Sequence, residues 1–254
     1  MKRTLKFFFL IGLSLLLSGN VTAQKKSKKK KQKTTKASAG LTERDGMNLM
    51  YNFYNAQNEK QKNNIEDAIK LFLQCLKIDP ENDASMYELA LIYTDLKDIN
   101  NALNYSKGAY ELDKKNKWYA SLLAELYQRT NNTGKAVDIY KNLIEIYPNE
   151  PENYLALATA YTYLGKYNEA IDSYNKVENM YGISPELSEE KKRLYLKLDN
   201  VDAAANEIEK LIEQFPNEYS FYSSLIELYQ VNNQPEKALG VIKRLENENA
   251  NSYE

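Results

Sequence analysis

The hydrophobic residues of the chain recur with the period of an amphipathic helix. Met86, Leu89, Ala90 and Tyr93 stand at i, i+3, i+4 and i+7, so they share one face of a helix. Residues 136–143 repeat this pattern, and polar turns such as residues 130–134 separate the apolar segments. Glycine (9) and proline (6) are scarce among the 254 residues, which favours helices. The pattern predicts an all-α fold.

Two residue types recur at intervals of 34 residues. We interpret each unit of this length as two amphipathic helices joined by a short polar turn. The alanines would let the two helices of a unit approach closely, and the tyrosines would fill the space between units. The two series are Ala68, Ala102, Ala136, Ala170, Ala204 and Ala238, and Tyr93, Tyr127, Tyr161, Tyr195 and Tyr229.

This pattern resembles the tetratricopeptide repeat family, in which an aromatic, Leu-Gly/Ala, Tyr, Ala, aromatic and Pro series spans 34 residues. The resemblance implies a right-handed α-solenoid of about six helix-turn-helix repeats over residues 42–254. The repeats would lie near 42–82, 83–116, 117–150, 151–184, 185–218 and 219–252. Such a fold serves many binding roles and identifies no single function. The fourth unit carries the pattern most fully, as Tyr154, Leu157, Ala158, Tyr161, Ala170 and Tyr174.

Two units depart from the pattern. In the fifth, Lys191 and Lys192 replace the Leu-Ala pair, so we expect its first helix to pack less tightly and to mark a bend. In the first, we expect about five extra polar residues within 57–64 to lengthen the turn. The first helix of that unit holds Met47, Met50, Tyr51 and Tyr54.

Charge is distributed unevenly along the chain. Residues 1–40 hold 11 basic residues and no acidic one, whereas the rest holds 23 basic and 35 acidic residues, a net charge of −12. Basic residues precede an apolar run over 7–17, and a small-x-small site follows at 21–23. This order predicts a signal peptide over residues 1–23, cleaved before Gln24. A disordered lysine-rich tail over 24–41 would follow.

The predicted signal peptide implies an exported protein, periplasmic or associated with the outer membrane. Seven lysines between Lys25 and Lys33 oppose translocation. An uncleaved signal that anchors the chain in the inner membrane is therefore the alternative. The lysine tail is either a solvated spacer or a contact with an anionic envelope surface.

The residue types present exclude several kinds of chemistry. The chain has no histidine and a single cysteine, Cys75. An internal disulfide, the usual Cys/His zinc sites and imidazole-based catalysis are therefore excluded. We predict no catalytic residue, no metal and no cofactor, and we do not expect an enzyme. The acidic body disfavours nucleic acid as a partner, because phosphate binding needs a basic face.

In the tetratricopeptide family the first helix of each repeat lines a concave groove, and its non-core positions meet ligands. The clamp of Lys, Asn and Arg that holds a C-terminal carboxylate in chaperone-binding members is absent from units two to four. The groove is neutral to acidic with aromatic patches, which suits a peptide with apolar and basic side chains. Trp118 is either an anchor in the groove or a packing residue. The candidate groove residues are Tyr87, Leu91, Asp95, Trp118, Glu125, Arg129, Leu155, Thr159, Tyr163 and Arg193.

These observations predict a protein–protein interaction scaffold in the bacterial cell envelope. It would bind a peptide or another protein in the concave groove. The alternative is a self-assembling subunit or a part of a larger array. A repeat array needs a polar cap at its end, so an apolar end would be covered by a second copy or by further repeats. The last unit carries an apolar stripe of Ala238, Val241, Ile242 and Leu245, through which the C-terminal repeat would self-associate.

Overall fold

The computed structural model describes residues 40–251, so the predicted signal peptide and nearly all of the lysine tail lie outside the described residues. Within this range the chain forms twelve helices and no strand, and each helix packs against the helices before and after it. The predicted all-α solenoid of six helix pairs is therefore confirmed. The first helices of the pairs, called A helices here, are α1 (Glu43–Gln61), α3 (Asp83–Asp95), α5 (Lys117–Arg129), α7 (Pro151–Tyr163), α9 (Pro185–Lys197) and α11 (Tyr219–Val231). The second helices, called B helices, are α2 (Ile65–Ile78), α4 (Ile99–Leu112), α6 (Thr133–Ile146), α8 (Tyr167–Tyr181), α10 (Val201–Gln214) and α12 (Pro235–Asn251).

Each A helix ends in the same way. A residue in the left-handed conformation stops the helix, and the amide of the next residue donates to a carbonyl near the helix end, as Asp98 does to Tyr93 at 2.9 Å. This arrangement satisfies a carbonyl that the helix leaves without a partner. The chain therefore turns within three residues in every pair. The left-handed residues recur every 34 positions, as Asn63, Lys97, Asn131, Gly165, Asp199 and Asn233.

The core runs along the line where A and B helices meet. All six alanines of the 34-residue series are buried, because a bare methyl group lets two helices approach closely. Of the tyrosine series, Tyr161 is buried and the others are half-buried. The largest buried cluster joins the third and fourth pairs and includes Leu123, Leu143 and Leu157.

The predicted lengthening of the first turn is wrong. The turn between α1 and α2 spans residues 62–64, as short as the others, and the extra residues lie at the start of α1, which has 19 residues where the later A helices have 13. The residue buried on α1 is Ala56, which lies 34 positions before Ala90. The large apolar residues of α1 therefore do not form its buried face, because the buried position holds an alanine. Between 60% and 74% of each of Met47, Met50, Tyr51 and Tyr54 is exposed.

The expectation of loose packing in the fifth unit is wrong at Lys191, whose side chain is 0% exposed. Its ammonium Nζ lies 2.5 Å from Glu178 Oε2 and 2.8 Å from Glu207 Oε2, and it donates to Asn175 Oδ1 at 3.2 Å. Lys210 Nζ lies 3.0 Å from Glu207 Oε1. Burial acts to lower the pKa of Lys210, but the hydrogen bond and the charges of the two glutamates outweigh it and raise that pKa. Lys191 can thus be buried because two carboxylates, from α8 and α10, compensate its charge.

Candidate functional site

The predicted groove residues lie on four successive A helices, α3, α5, α7 and α9. Seven of the ten are exposed and the remaining three, Tyr87, Leu91 and Leu155, are partly buried against the core. We call this surface the A-helix face. Its exposed members are Asp95, Trp118, Glu125, Arg129, Thr159, Tyr163 and Arg193.

Local contacts fix several of these side chains. Glu125 pairs with Arg129 one turn later on α5, at 2.5 Å, and the Thr159 hydroxyl donates to the Leu155 carbonyl at 3.0 Å. Arg193 pairs with Glu190 on its own helix. The Tyr163 hydroxyl donates to Asn131 Oδ1 at 3.0 Å, in the turn of the preceding pair. The face is therefore organised mainly by pairs within one helix.

Trp118 stands at the start of α5 with 65% of its surface exposed. Asn116 caps this helix by accepting the Trp118 amide at 3.1 Å, and Lys117 Nζ lies 5.9 Å from the indole centroid. Tyr163 at the end of α7 is 66% exposed. This exposure of Trp118 fits an anchor better than a residue packed between A helices.

Sequence reasoning missed Tyr119, whose ring packs against Tyr87 of α3. The rings of Tyr87 and Tyr119 lie 5.0 Å apart, so the Tyr87 ring fills the cleft between these helices. Burial raises the pKa of the Tyr119 phenol. Tyr119 occupies the third position of its A helix, a register that a search restricted to non-core positions leaves out.

Beneath the A-helix face lies the buried phenol of Tyr140 on α6. Burial, with a contribution from the charge of Glu125, raises the pKa of Tyr140 to about 12. The phenol therefore stays neutral near pH 7. It contributes packing to this part of the face and no charge.

An open cavity of about 450 Å³ lies between α9 and α11, with α10 behind it. Its lining is mainly apolar at the back, and charged residues stand at its rim. A smaller cavity of about 260 Å³ lies between α10, α11 and α12, and there Arg244 already pairs with Glu209 at 2.9 Å. The larger cavity is lined by Pro185, Glu186, Ser188, Glu189, Lys192, Ile208, Leu211, Ser220, Phe221 and Ser224.

Two family models match the sequence. The tetratricopeptide repeat model matches residues 56–82, and the model of anaphase-promoting complex, cyclosome, subunit 3 matches residues 95–177. The six helix pairs and the 34-residue period extend this agreement over the described residues. The chain is a tetratricopeptide repeat protein. No curated protein matches it.

Solved structures resemble this tetratricopeptide repeat chain in fold. The crystal structure of MamA has a TM-score of 0.59 at 19% identity, with 69% of this chain and 96% of that chain covered. A tetratricopeptide repeat protein from Parabacteroides merdae has a TM-score of 0.58 at 20% identity, with 80% of each chain covered. YrrB, described as having an unusual peptide-binding site, has a TM-score of 0.55 at 15% identity, with 68% of this chain and 89% of that chain covered.

The described part of the tetratricopeptide repeat protein contains neither a metal-ligand cluster nor a membrane-spanning helix. Between residues 40 and 251, no three His, Cys, Asp or Glu side chains are arranged to hold a metal ion. None of the twelve helices combines the length and the apolar character needed to cross a membrane. The A-helix face and the cavity between α9 and α11 present aromatic, apolar and charged side chains to solvent.

Proposed function

We propose that this protein is a protein–protein interaction scaffold that binds a segment of another protein along the A-helix face. The observation that carries the proposal is the exposure of two large aromatic side chains on that face, Trp118 and Tyr163. Aromatic residues left in solvent on a rigid surface are typical anchors of protein interfaces. The neighbour YrrB, with its peptide-binding site, is an instance of the same fold in such a role.

Charge indicates the chemistry of the partner. Residues 41–254 carry a net charge of −12, and Arg129 and Arg193 on the face are already paired with glutamates. An acidic body attracts basic segments and repels acidic ones. We therefore expect a partner segment that combines apolar and basic side chains, bound in an extended or helical form.

The proposal places this scaffold in the bacterial envelope, in the periplasm or at the outer membrane. Its basis is the predicted signal peptide over residues 1–23. Mass spectrometry of the protein from isolated envelopes should find Gln24 as the first residue. Retention of Met1 in the inner membrane would instead support the anchored alternative.

We propose for the lysine tail, residues 24–41, an electrostatic contact with an anionic envelope surface. Vesicles that contain anionic lipid should bind the protein, and added salt should weaken that binding. Equal binding to neutral vesicles would contradict an electrostatic contact, and absence of binding to the anionic vesicles would leave the tail a solvated spacer.

Capture of partners after crosslinking tests the scaffold itself. The double variant Trp118→Ala/Tyr163→Ala should lose the proteins that the wild type captures from envelopes. Tyr181→Ala is the matched control, because Tyr181 is 65% exposed but lies at the end of a B helix, α8. Capture of the same proteins by the double variant and by the control would refute binding at the A-helix face.

Self-association is a second candidate function, and the exposed apolar stripe on α1 favours it. Met47, Met50, Tyr51 and Tyr54 stand at i, i+3, i+4 and i+7 and are all exposed. In the C-terminal repeat the predicted apolar stripe is not the exposed face, because Ala238 and Val241 are buried and Ile242 and Leu245 are half-buried. Leu239 is 51% exposed instead. We propose that these two faces join copies of the chain end to end. Sedimentation should then show mass rising with concentration, and Met50→Glu/Tyr54→Glu should abolish the rise; a strictly monomeric wild type would remove this candidate.

A further inference from the structure

The cleft between α9 and α11 lacks a side chain that fills the equivalent cleft between α3 and α5. There, the Tyr87 ring lies 5.0 Å from the Tyr119 ring. Three repeats later the same two positions hold Glu189 and Phe221. Glu189 supplies no ring, and its carboxylate pairs with Lys192 at 2.6 Å. The cavity of about 450 Å³ therefore lies at the register that the Tyr87 ring occupies between α3 and α5, a register that holds Ser121 on α5 and Leu155 on α7.

The wall of this cavity contains a hydroxyl without a partner. Ser188 is 1% exposed, and its Oγ has no hydrogen-bond partner among residues 40–251. Buried hydroxyls are nearly always hydrogen-bonded. The positions 34 residues before and after Ser188 hold Tyr154 and Tyr222, so the small serine also creates part of the space. The wall thus combines a free hydrogen-bonding group with the apolar surface of Ile208 and Leu211, which are both buried.

The rim of the cavity is acidic. Glu186 and Glu189 both line it and are exposed. Lys192 neutralises Glu189, whereas no ion pair of Glu186 is seen in the part of the chain that the structure describes. A cation bound beside the cavity would find its partner at Glu186.

We propose that this cavity, which we call the α9–α11 pocket, binds the aromatic side chain of a peptide in which a lysine or arginine stands next to the aromatic residue. The ring packs on Phe221 and the apolar wall, as Tyr87 packs on Tyr119, and the basic residue faces Glu186. Because the ring comes from the bound segment, the pocket selects which segment binds. The proposal rests on the proposed scaffold function and defines the specificity of one part of it.

A fluorescein-labelled synthetic peptide with the core Ser-Phe-Lys-Ser tests the pocket by fluorescence anisotropy with the full chain. We expect saturable binding, weakened about tenfold or more when Phe is replaced by Ser in the peptide. Glu189→Tyr should cause a loss of similar size, because it restores the ring found at Tyr87. Ser121→Tyr is the matched control, since it adds the same ring at the same register of α5 and should leave affinity unchanged. Glu186→Gln should weaken the Phe-Lys peptide but not a Phe-Ser peptide.

Ser224→Leu fills the pocket from the opposite side, with the residue type that Leu122 provides three repeats earlier. It replaces Glu189→Tyr as the filled variant if circular dichroism shows that Glu189→Tyr misfolds. Equal affinity of the filled variant and the wild type overturns the proposal. So does the absence of saturable binding of the Phe-Lys peptide to the folded chain. If the capture of envelope partners depends on Trp118 but is unaffected by Glu189→Tyr, the scaffold function stands and the proposed role of the pocket is overturned. If capture depends neither on Trp118 nor on the open pocket, both the scaffold function and the role of the pocket are overturned.

Discussion

Replacing Lys191 by methionine would remove an ammonium group from the interior while keeping an unbranched side chain that is one heavy atom shorter. Glu178 Oε2 and Glu207 Oε2 would lose a partner at 2.5 Å and 2.8 Å. Glu207 is itself buried. Lys210, whose side chain is 30% exposed, would remain as the compensating cation at 3.0 Å from Glu207. Two carboxylates would then share one partly solvated lysine.

The expected cost follows from the charge left without its partner. Removing one member of a buried ion pair costs about 3–5 kcal/mol, because the remaining charge stays desolvated. Folded domains have a total stability of about 5–15 kcal/mol. For a chain of this size the melting temperature should fall by about 6–20 °C.

A second variant tests whether the site needs the ion pairs or only side chains that fill the same space. One repeat later, the positions equivalent to the trio hold Ile212, Leu225 and Val241, which pack in one buried cluster. The triple variant Glu178→Ile/Lys191→Leu/Glu207→Val copies that cluster. Replacing a whole buried ionic group by apolar residues is typically neutral or stabilising by about 1–4 kcal/mol. The triple variant should therefore be at least as stable as the wild type.

Urea unfolding of the full chain, monitored by the helical circular dichroism signal, measures the free energy of unfolding of both variants. Urea is uncharged, so it does not screen the charges as a salt would. Lys192→Met is the matched control, because its partner Glu189 is mostly exposed; loss of this surface pair should cost at most about 1 kcal/mol. The reasoning fails if Lys191→Met lies within that range of the wild type. It also fails if the triple variant is as unstable as Lys191→Met.

Three further predictions concern the core. Ala136→Leu should cost about 1–3 kcal/mol by overpacking α5 against α6, whereas Asp138→Leu on the exposed side of α6 should not, and equal unfolding curves would refute the assigned contact. Because burial raises the pKa of Tyr140 to about 12, an absorbance titration at about pH 11 should find one more protonated phenol in the wild type than in Tyr140→Phe. Because the unfolded phenol ionises first, this contribution to stability is complete below about pH 10 and is lost as pH rises towards 12; ionisation of Tyr140 near pH 10 in the folded protein would contradict it. Cys75 is buried and its thiol pKa is raised by burial, so thiol reagents should label it only after unfolding, and rapid labelling of the native protein would disprove the burial.

The fold was predictable because a repeat protein is specified by local signals. The alanine and tyrosine series follow from helix geometry and from packing between neighbours in sequence. These signals are sufficient to predict the six helix pairs. The register of the first unit was missed because Ala56 carries no hydrophobic signal beside Met50 and Tyr54, although it lies one period before Ala90.

The candidate site was predictable only in part. The family register indicates which residues of α3, α5, α7 and α9 can reach the surface, and seven of the ten are exposed. It separates Trp118, which is exposed, from Tyr119, which is buried beside it, but it does not predict the contact between Tyr119 and Tyr87. That contact depends on a side chain from the preceding A helix, α3.

The sequence alone determined the repeat, the helix pairs and the acidic body, because each depends on residue order or on composition. Tertiary structure decided which charges are buried and where space remains. The burial of Lys191 requires carboxylates from α8 and α10, and the α9–α11 pocket requires Ser188 and Glu189 to meet Phe221 from the next repeat. Both depend on the sizes and charges of side chains that come together only when neighbouring helix pairs stack.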